Sequence, residues 1–157
     1  MEDARFEDAD EGPLRLMALD QEDLKIISAL VQDAVFPATE MTWDAKTRRF
    51  AILLNRFRWE DAPKAKEGRR DFERVQSVLV VEDVMKVSST GIDRKDPDLV
   101  LSLLAITFEP GEDAGGRVLL ALAGDGDIAL EVEALEVRLK DVTRPYVAPS
   151  HRQPVHD

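Results

Sequence analysis

The chain has no cysteine, and its two histidines, His151 and His156, sit in a Pro-rich terminal stretch. The first absence excludes disulfides, thiolate metal sites and cysteine nucleophiles. The second removes the usual general base, which must be held on something rigid within hydrogen-bond reach of its proton. Two tail histidines also fall short of the three or four fixed ligands a metal needs. No apolar run approaches the ~18–20 residues of a membrane span. The opening stretch "MEDARFEDADEG" lacks the basic-then-apolar pattern of a secretion signal, so a cytoplasmic location without a membrane partner is expected. "PGEDAGG" does not end in Lys-Ser/Thr and opens no helix, so it is not a phosphate loop. Nothing in the chain implies a catalytic residue, a metal or a cofactor.

What is present fits one domain. At 157 residues and 44% hydrophobic content the chain can bury a sizeable core. Its net charge of -11 disfavours nucleic acid and anionic membranes as partners of the whole molecule. The charge is uneven. Residues 45–74 hold ten Lys and Arg against five acids, a local +5 that leaves -16 on the remainder.

The hydrophobic pattern divides the chain into an acidic arm (1–13), a single domain (14–146) and a Pro-rich tail (147–157). In "PLRLMALD", Leu14, Leu16 and Ala18 alternate as a short strand does. Asp20 has the place of a helix N-cap, with Glu22 and Asp23 at the positive end of the dipole. Leu19 and Leu24 are spaced as a hydrophobic staple. Leu24, Ile27, Leu30, Val31 and Ala34 form one apolar face, which predicts a helix over 21–34 closed by Pro37. The period then becomes two. Met41–Trp43 and Arg48–Trp59 read as a hairpin turning at Asp44–Lys46, and 60–73 as a loop. "RVQSVLVV" and "VMKVSSTGI" are strand-like runs broken at Glu82–Asp83. "LVLSLLAITFE", "GRVLLALA" and "IALEVE" follow as further strands. One helix followed by successive strands with polar turns gives class α+β: mainly an antiparallel β sheet or small barrel with one N-terminal amphipathic helix.

Four constellations could carry chemistry. "GDGD" (124–127) offers two carboxylates, but Ala129 stands where a calcium loop wants a third oxygen. Asp-Gly between two alternating runs is instead a hairpin signal, with Asp125 and Gly126 as residues that accept positive φ. Asp93, Asp96 and Asp98 in "GIDRKDPDL" could face one pocket of a small-ligand binder or enzyme, although acids around Pro97 more often solvate a turn. The acids of "EPGEDAGG" read the same way. Residues 134–142 fit either a helix or a strand after a bulge. The strand is the better fit, because Val137 and Val142 are poor helix formers.

The fourth constellation is "RRFAILLNRFRW". On a strand, Arg56 and Arg58 share one face while Phe57 and Trp59 share the other. Arginines interleaved with aromatics can grip single-stranded nucleic acid. Arg48, Arg49, Arg56, Arg58, Trp59, Arg69 and Arg70 are therefore the candidate binding residues. The competing reading puts the aromatics in the core and pairs the arginines with acids on a solvated face. The abundance of acid elsewhere favours that reading.

The stretches "LRLMALDQEDLKIISALVQDAV", "RRFAILLNRFRWE", "RVQSVLVVEDVMKVSSTGID", "VLSLLAITFEP" and "DIALEVEALEVRLKDVTRPY" resemble a bacterial family called domain of unknown function 2948, over about residues 14–146. The resemblance implies a bacterial, cytoplasmic, single-domain protein and brings no catalytic or binding motif with it. The expectation is a non-enzymatic interaction or accessory domain with a protein partner, or a homodimer. A nucleic-acid-associated protein using residues 45–74 is the first alternative. A ligand binder or enzyme using acids near 93–98 is the second.

Overall fold

The computed structural model describes residues 13–58, 73–93, 95–143 and 146–147. The expected loop over 60–73, all but its last residue, and the tail beyond Val147 lie outside the described residues, as does the acidic arm up to Gly12.

The chain begins with β1 (Arg15–Ala18) and α1 (Gln21–Leu30). Asp20 caps the helix as its sequence position suggests: its carboxylate accepts from the Asp23 backbone N–H at 2.8 Å. Leu24, Ile27 and Leu30 form the buried face. Leu19 is 57% exposed and does not staple the helix start, since the chain leaves β1 with that side chain outward. The helix is also shorter than 21–34. Asp33 takes a left-handed φ of 66°, turning the chain so that the Ala34 carbonyl accepts from Leu103 N–H in the sheet. Val31 and Ala34 stay buried, but as the turn into the next strand rather than as helix.

The remaining strands are β2 (Val35–Pro37), β3 (Met41–Asp44), β4 (Arg49–Phe57), β5 (Glu73–Val81), β6 (Val84–Thr90), β7 (Val100–Pro110), β8 (Gly116–Leu122), β9 (Asp127–Val132), β10 (Val137–Asp141) and β11 (Tyr146–Val147). All pair antiparallel, in the order β1-β10-β5-β4-β2-β7-β8-β9-β6, with β3 beside β4 and β11 beside β5. This is the α+β, mainly antiparallel fold that the alternation implies.

Two bends bring the ends of this order together. β6 continues β5 beyond Glu82–Asp83, where Asp83 adopts φ 55°. β10 continues β9 beyond Glu133–Glu136. Glu82 N–H donates to Glu136 C=O at 2.9 Å and Glu133 N–H to Asp83 C=O at 3.0 Å, so the two bends are tied to one another. A path from β5 through β4, β2, β7, β8 and β9 thus returns to β10, which pairs β5. The sheet wraps around its core as a small barrel.

The core consists of rungs that can be followed across sheet register. Ala18, Val137, Val81 and Phe50 make one; Leu16, Leu139, Leu79 and Ile52 make the next. Opposite them, Val118, Leu120, Ile128, Leu130 and Val132 fill the inner face of β8 and β9. α1 covers the edge of β7: the Ser28 hydroxyl accepts from Ile106 N–H at 2.9 Å, satisfying a strand donor that β2 is too short to reach.

The "GDGD" stretch is the β8–β9 hairpin turn. Positive φ falls on Gly124 (84°) and Asp125 (69°), one position earlier than the sequence suggests, because Gly126 closes the hairpin with its carbonyl accepting from Leu122 N–H. Residues 137–141 are strand, as the Val-rich pattern favours.

Candidate functional site

The basic segment sits differently from a cationic stripe. β4 alternates as expected, but Arg56 follows Phe50, Ile52 and Leu54 on the inward face. It is fully buried, and Arg58 is 6% exposed. Arg56 donates from Nε to Asp141 Oδ1 at 3.0 Å and from Nη2 to Asp141 Oδ2 at 2.9 Å. Ser77, between them on β5, donates its hydroxyl to Asp141 Oδ1 at 2.7 Å and accepts from Arg56 Nε at 3.2 Å. Leu14 N–H donates to Asp141 Oδ2 at 2.9 Å. A buried charge needs this degree of satisfaction, since desolvation alone would expel it. Arg58 donates from Nη1 to Glu73 Oε1 at 2.9 Å. Phe57 is buried on the other face of β4, with the Arg74 guanidinium 5.8 Å from its ring centre.

Arg48 and Arg49, at the hairpin end of β4, remain partly exposed. Arg48 pairs with Glu133 at 2.6 Å and Arg49 with Glu82 at 3.0 Å. The Glu82 carboxylate raises the pKa of Arg49 above its ordinary value, first through the hydrogen bond and then through its charge. The structure therefore does not gather the described arginines into one surface. Two are buried in ion pairs at one end of the sheet, and two pair with the glutamates of the bends at the other. Trp59, Arg69 and Arg70 lie outside the described residues.

The aspartates of "GIDRKDPDL" close turns. Asp93 Oδ1 accepts from Lys95 N–H at 3.0 Å and Asp96 Oδ1 from Asp98 N–H at 2.9 Å, with all three acids exposed. The acids of "EPGEDAGG" line a hollow of about 620 Å³ together with Glu131 and Glu133. Its one arginine, Arg117, is already held by Glu109 at 2.8 Å. This concentration of carboxylate repels phosphate.

A site not legible in the sequence lies where the barrel wall is incomplete. Among the described residues, β3 pairs only with β4, and β6 only with β9. Between these two unpaired edges runs a small cleft of about 60 Å³, lined by Met41 and Trp43 of β3, Val87 and Ser89 of β6, Ile92 just beyond β6, Phe50 and Ile128. Phe50 and Ile128 belong to the buried core and form the floor, while Trp43 at the rim is 37% exposed. Met41 also borders a neighbouring cleft of about 320 Å³ that runs past Ala38 and Thr39 to Lys95, Asp96 and Pro97. The sequence signal was half present: "MTW" alternates as an edge strand with its large side chains on one face. The facing strand is about forty residues away, so nothing local marks the two as neighbours.

Among the described residues no helix is long and apolar enough to cross a membrane. The chain belongs to a family of proteins of unknown function, DUF2948, whose model matches residues 14–156. No curated protein and no solved structure matches it.

Proposed function

We propose that this chain is a non-enzymatic interaction domain that takes an extended peptide of a protein partner into the seam between β3 and β6. The observation that carries the reading is the pairing of two unpaired strand edges with an apolar floor. A strand edge presents a row of unused N–H and C=O groups, and an extended chain is the ligand form that satisfies such a row. The cleft beside it gives specificity through an apolar side chain at an alternate position.

The hollow beside Glu109 is large enough for a small ligand at about 620 Å³, but its lining is acidic and its arginine is held by Glu109. The seam itself differs from a small-ligand pocket in size. Pockets for cofactors and metabolites run to roughly 300–1,000 Å³. The seam's cleft of about 60 Å³ fits the end of one side chain. The neighbouring cleft is large enough for a ligand, but its acid, Asp96, is already engaged in its own turn.

The test is a peptide-display selection against the full chain, followed by affinity measurement and amide hydrogen exchange. Selected peptides should carry alternating apolar residues and should slow exchange along Val84–Thr90. Trp43→Ala or Val87→Lys should weaken them at least about tenfold, or ~1.4 kcal/mol. Peptides whose affinity ignores both substitutions would sink the proposal.

A further inference from the structure

Two strands meet with like charges facing one another. β1 turns Arg15 and Met17 outward, and β10 turns Arg138 and Lys140 outward. The register sets Arg15 directly opposite Lys140, and Met17 opposite Arg138. Arg138 is held by Glu136 at 2.6 Å. Among the described residues, no acid pairs with Arg15 or Lys140. Like charges directly opposite on a sheet destabilise it. This chain has 32 acids with which to relieve them, and it leaves these two cations unrelieved.

The surroundings are apolar rather than polar. Met17 and Leu19 are more than half exposed, and Val142, two positions past Lys140 and so on its face, is nearly so. Val80 and Val78 of β5, half-buried, continue the outer rungs beside Arg138 and Lys140. The opposite sign follows along the chain. Past Leu19, the first turn of α1 exposes Glu22 and Asp23. Glu22 makes only a loose, exposed contact with Lys25 at 3.6 Å, and Asp23 has no ion pair among the described residues. One surface thus carries free cations at one end, apolar side chains in the middle and acids at the other. Arg15 and Leu19 are about 13 Å apart along extended chain.

We infer that this surface pairs with the same surface of a second copy of the chain, about a two-fold axis near Met17 and Leu19. An occupant that neutralises both ends must carry acid, apolar and basic groups in the reverse order. Turning the patch through a half-rotation supplies that order, which is the condition for an isologous contact. A uniformly acidic or basic partner would satisfy one end and be repelled at the other. Each copy contributes both ends, so every favourable charge contact occurs twice. The net charge of -11 opposes association at long range, and the dimer is therefore weak and reversible. β10, β5 and β4 separate β1 from β3 in the sheet, so the contact leaves the β3–β6 seam uncovered.

Sedimentation equilibrium of the full chain tests the inference. At ~100 μM the native chain should be largely dimeric. Arg15→Glu/Lys140→Glu makes both ends acidic, and Glu22→Lys/Asp23→Lys makes both ends basic. Each should weaken self-association at least about tenfold, while an equimolar mixture of the two should dimerise, because each reversed end then meets its opposite. The chain lacks cysteine, so Leu19→Cys provides a single thiol near the axis and should oxidise to a covalent dimer, whereas Met85→Cys on β6 should not. Circular dichroism checks each fold. Should lysines in the first turn unfold the helix, Glu22→Gln/Asp23→Asn takes their place and should also weaken the dimer. A native chain that is monomeric at ~100 μM, a dimer indifferent to the charge changes, or folded reversed variants that ignore one another when mixed would overturn the inference. Trp43→Ala should leave the dimer unchanged, so the outcome is independent of the proposed function.

Discussion

Arg56 and Asp141 are 85 positions apart in the chain, and their side chains meet as a two-point ion pair in the interior. Arg56 is fully buried, so neither partner can fall back on water if the other is removed. Truncating one member of a buried pair leaves an uncompensated charge and typically costs about 3–5 kcal/mol. Arg56→Met and Asp141→Leu should each lower the denaturation free energy by that order, read from urea midpoints at constant m-value. Combining them should cost less than the sum, because the first change already breaks the bonds that the second would remove. Strict additivity would mean that the two groups do not interact in solution.

The helix makes a simpler case. Leu24 and Ile27 are almost wholly buried against the sheet, so either change to Ala removes apolar contact and leaves a cavity. Each should destabilise by about 2–5 kcal/mol. Ile26 points outward on the same helix, and Ile26→Ala should stay within about 0.5 kcal/mol. A midpoint unmoved by Leu24→Ala would take this helix out of the core.

What was legible in the sequence divides along the same line. The cap at Asp20, the stripe of Leu24, Ile27 and Leu30, and the alternation of Phe50, Ile52 and Leu54 are local patterns, and the fold class follows from them. β2 was hidden because three residues, Val35–Pro37, are too few to show a period. The helix end was misplaced because Val31 and Ala34 are apolar for another reason: they are buried in the turn that leads into β2. Arg56 was legible as one face of a strand but not as interior, since its partner is remote and arginine is almost never read as core. Of the seam, only the alternation of Met41 and Trp43 on one wall was legible. It is made by two edges that no turn connects, and only the closure of the barrel sets them side by side.

The β3–β4 turn carries a pH dependence of known sign. The Asp44 carboxylate accepts from the Thr47 side chain, from Thr47 N–H at 3.5 Å and from Lys46 N–H at 3.0 Å. These bonds, that from the Thr47 side chain first, hold its pKa below the ordinary aspartate value. A group depressed on folding stabilises the native state above its unfolded pKa, and that contribution is lost as pH falls through the folded value. The Asp44 carboxyl carbon shift should therefore titrate below ~3.9, and Thr47→Val should move it upward. An Asp44 titration unchanged by Thr47→Val would assign the depression to another group.

The arginine-rich segment gives the last prediction, and its two halves should separate in the laboratory. Arg56→Gln and Arg58→Gln remove buried partners of Asp141 and Glu73, so their first effect is on stability. Arg48→Gln and Arg49→Gln remove half-exposed partners of Glu133 and Glu82, so stability should change by no more than ~1 kcal/mol. If these arginines served nucleic acid, the second pair would be the accessible one, and its loss would flatten the salt dependence of binding. The surface around them argues otherwise: both are already neutralised by glutamate, and the hollow bordered by Glu133 is lined by carboxylates. Titration of the full chain with single-stranded RNA or DNA at ~150 mM salt should therefore give no micromolar binding. Binding at that level, lost in Arg48→Gln/Arg49→Gln with the fold intact by circular dichroism, would replace the peptide-seam reading with a nucleic-acid one.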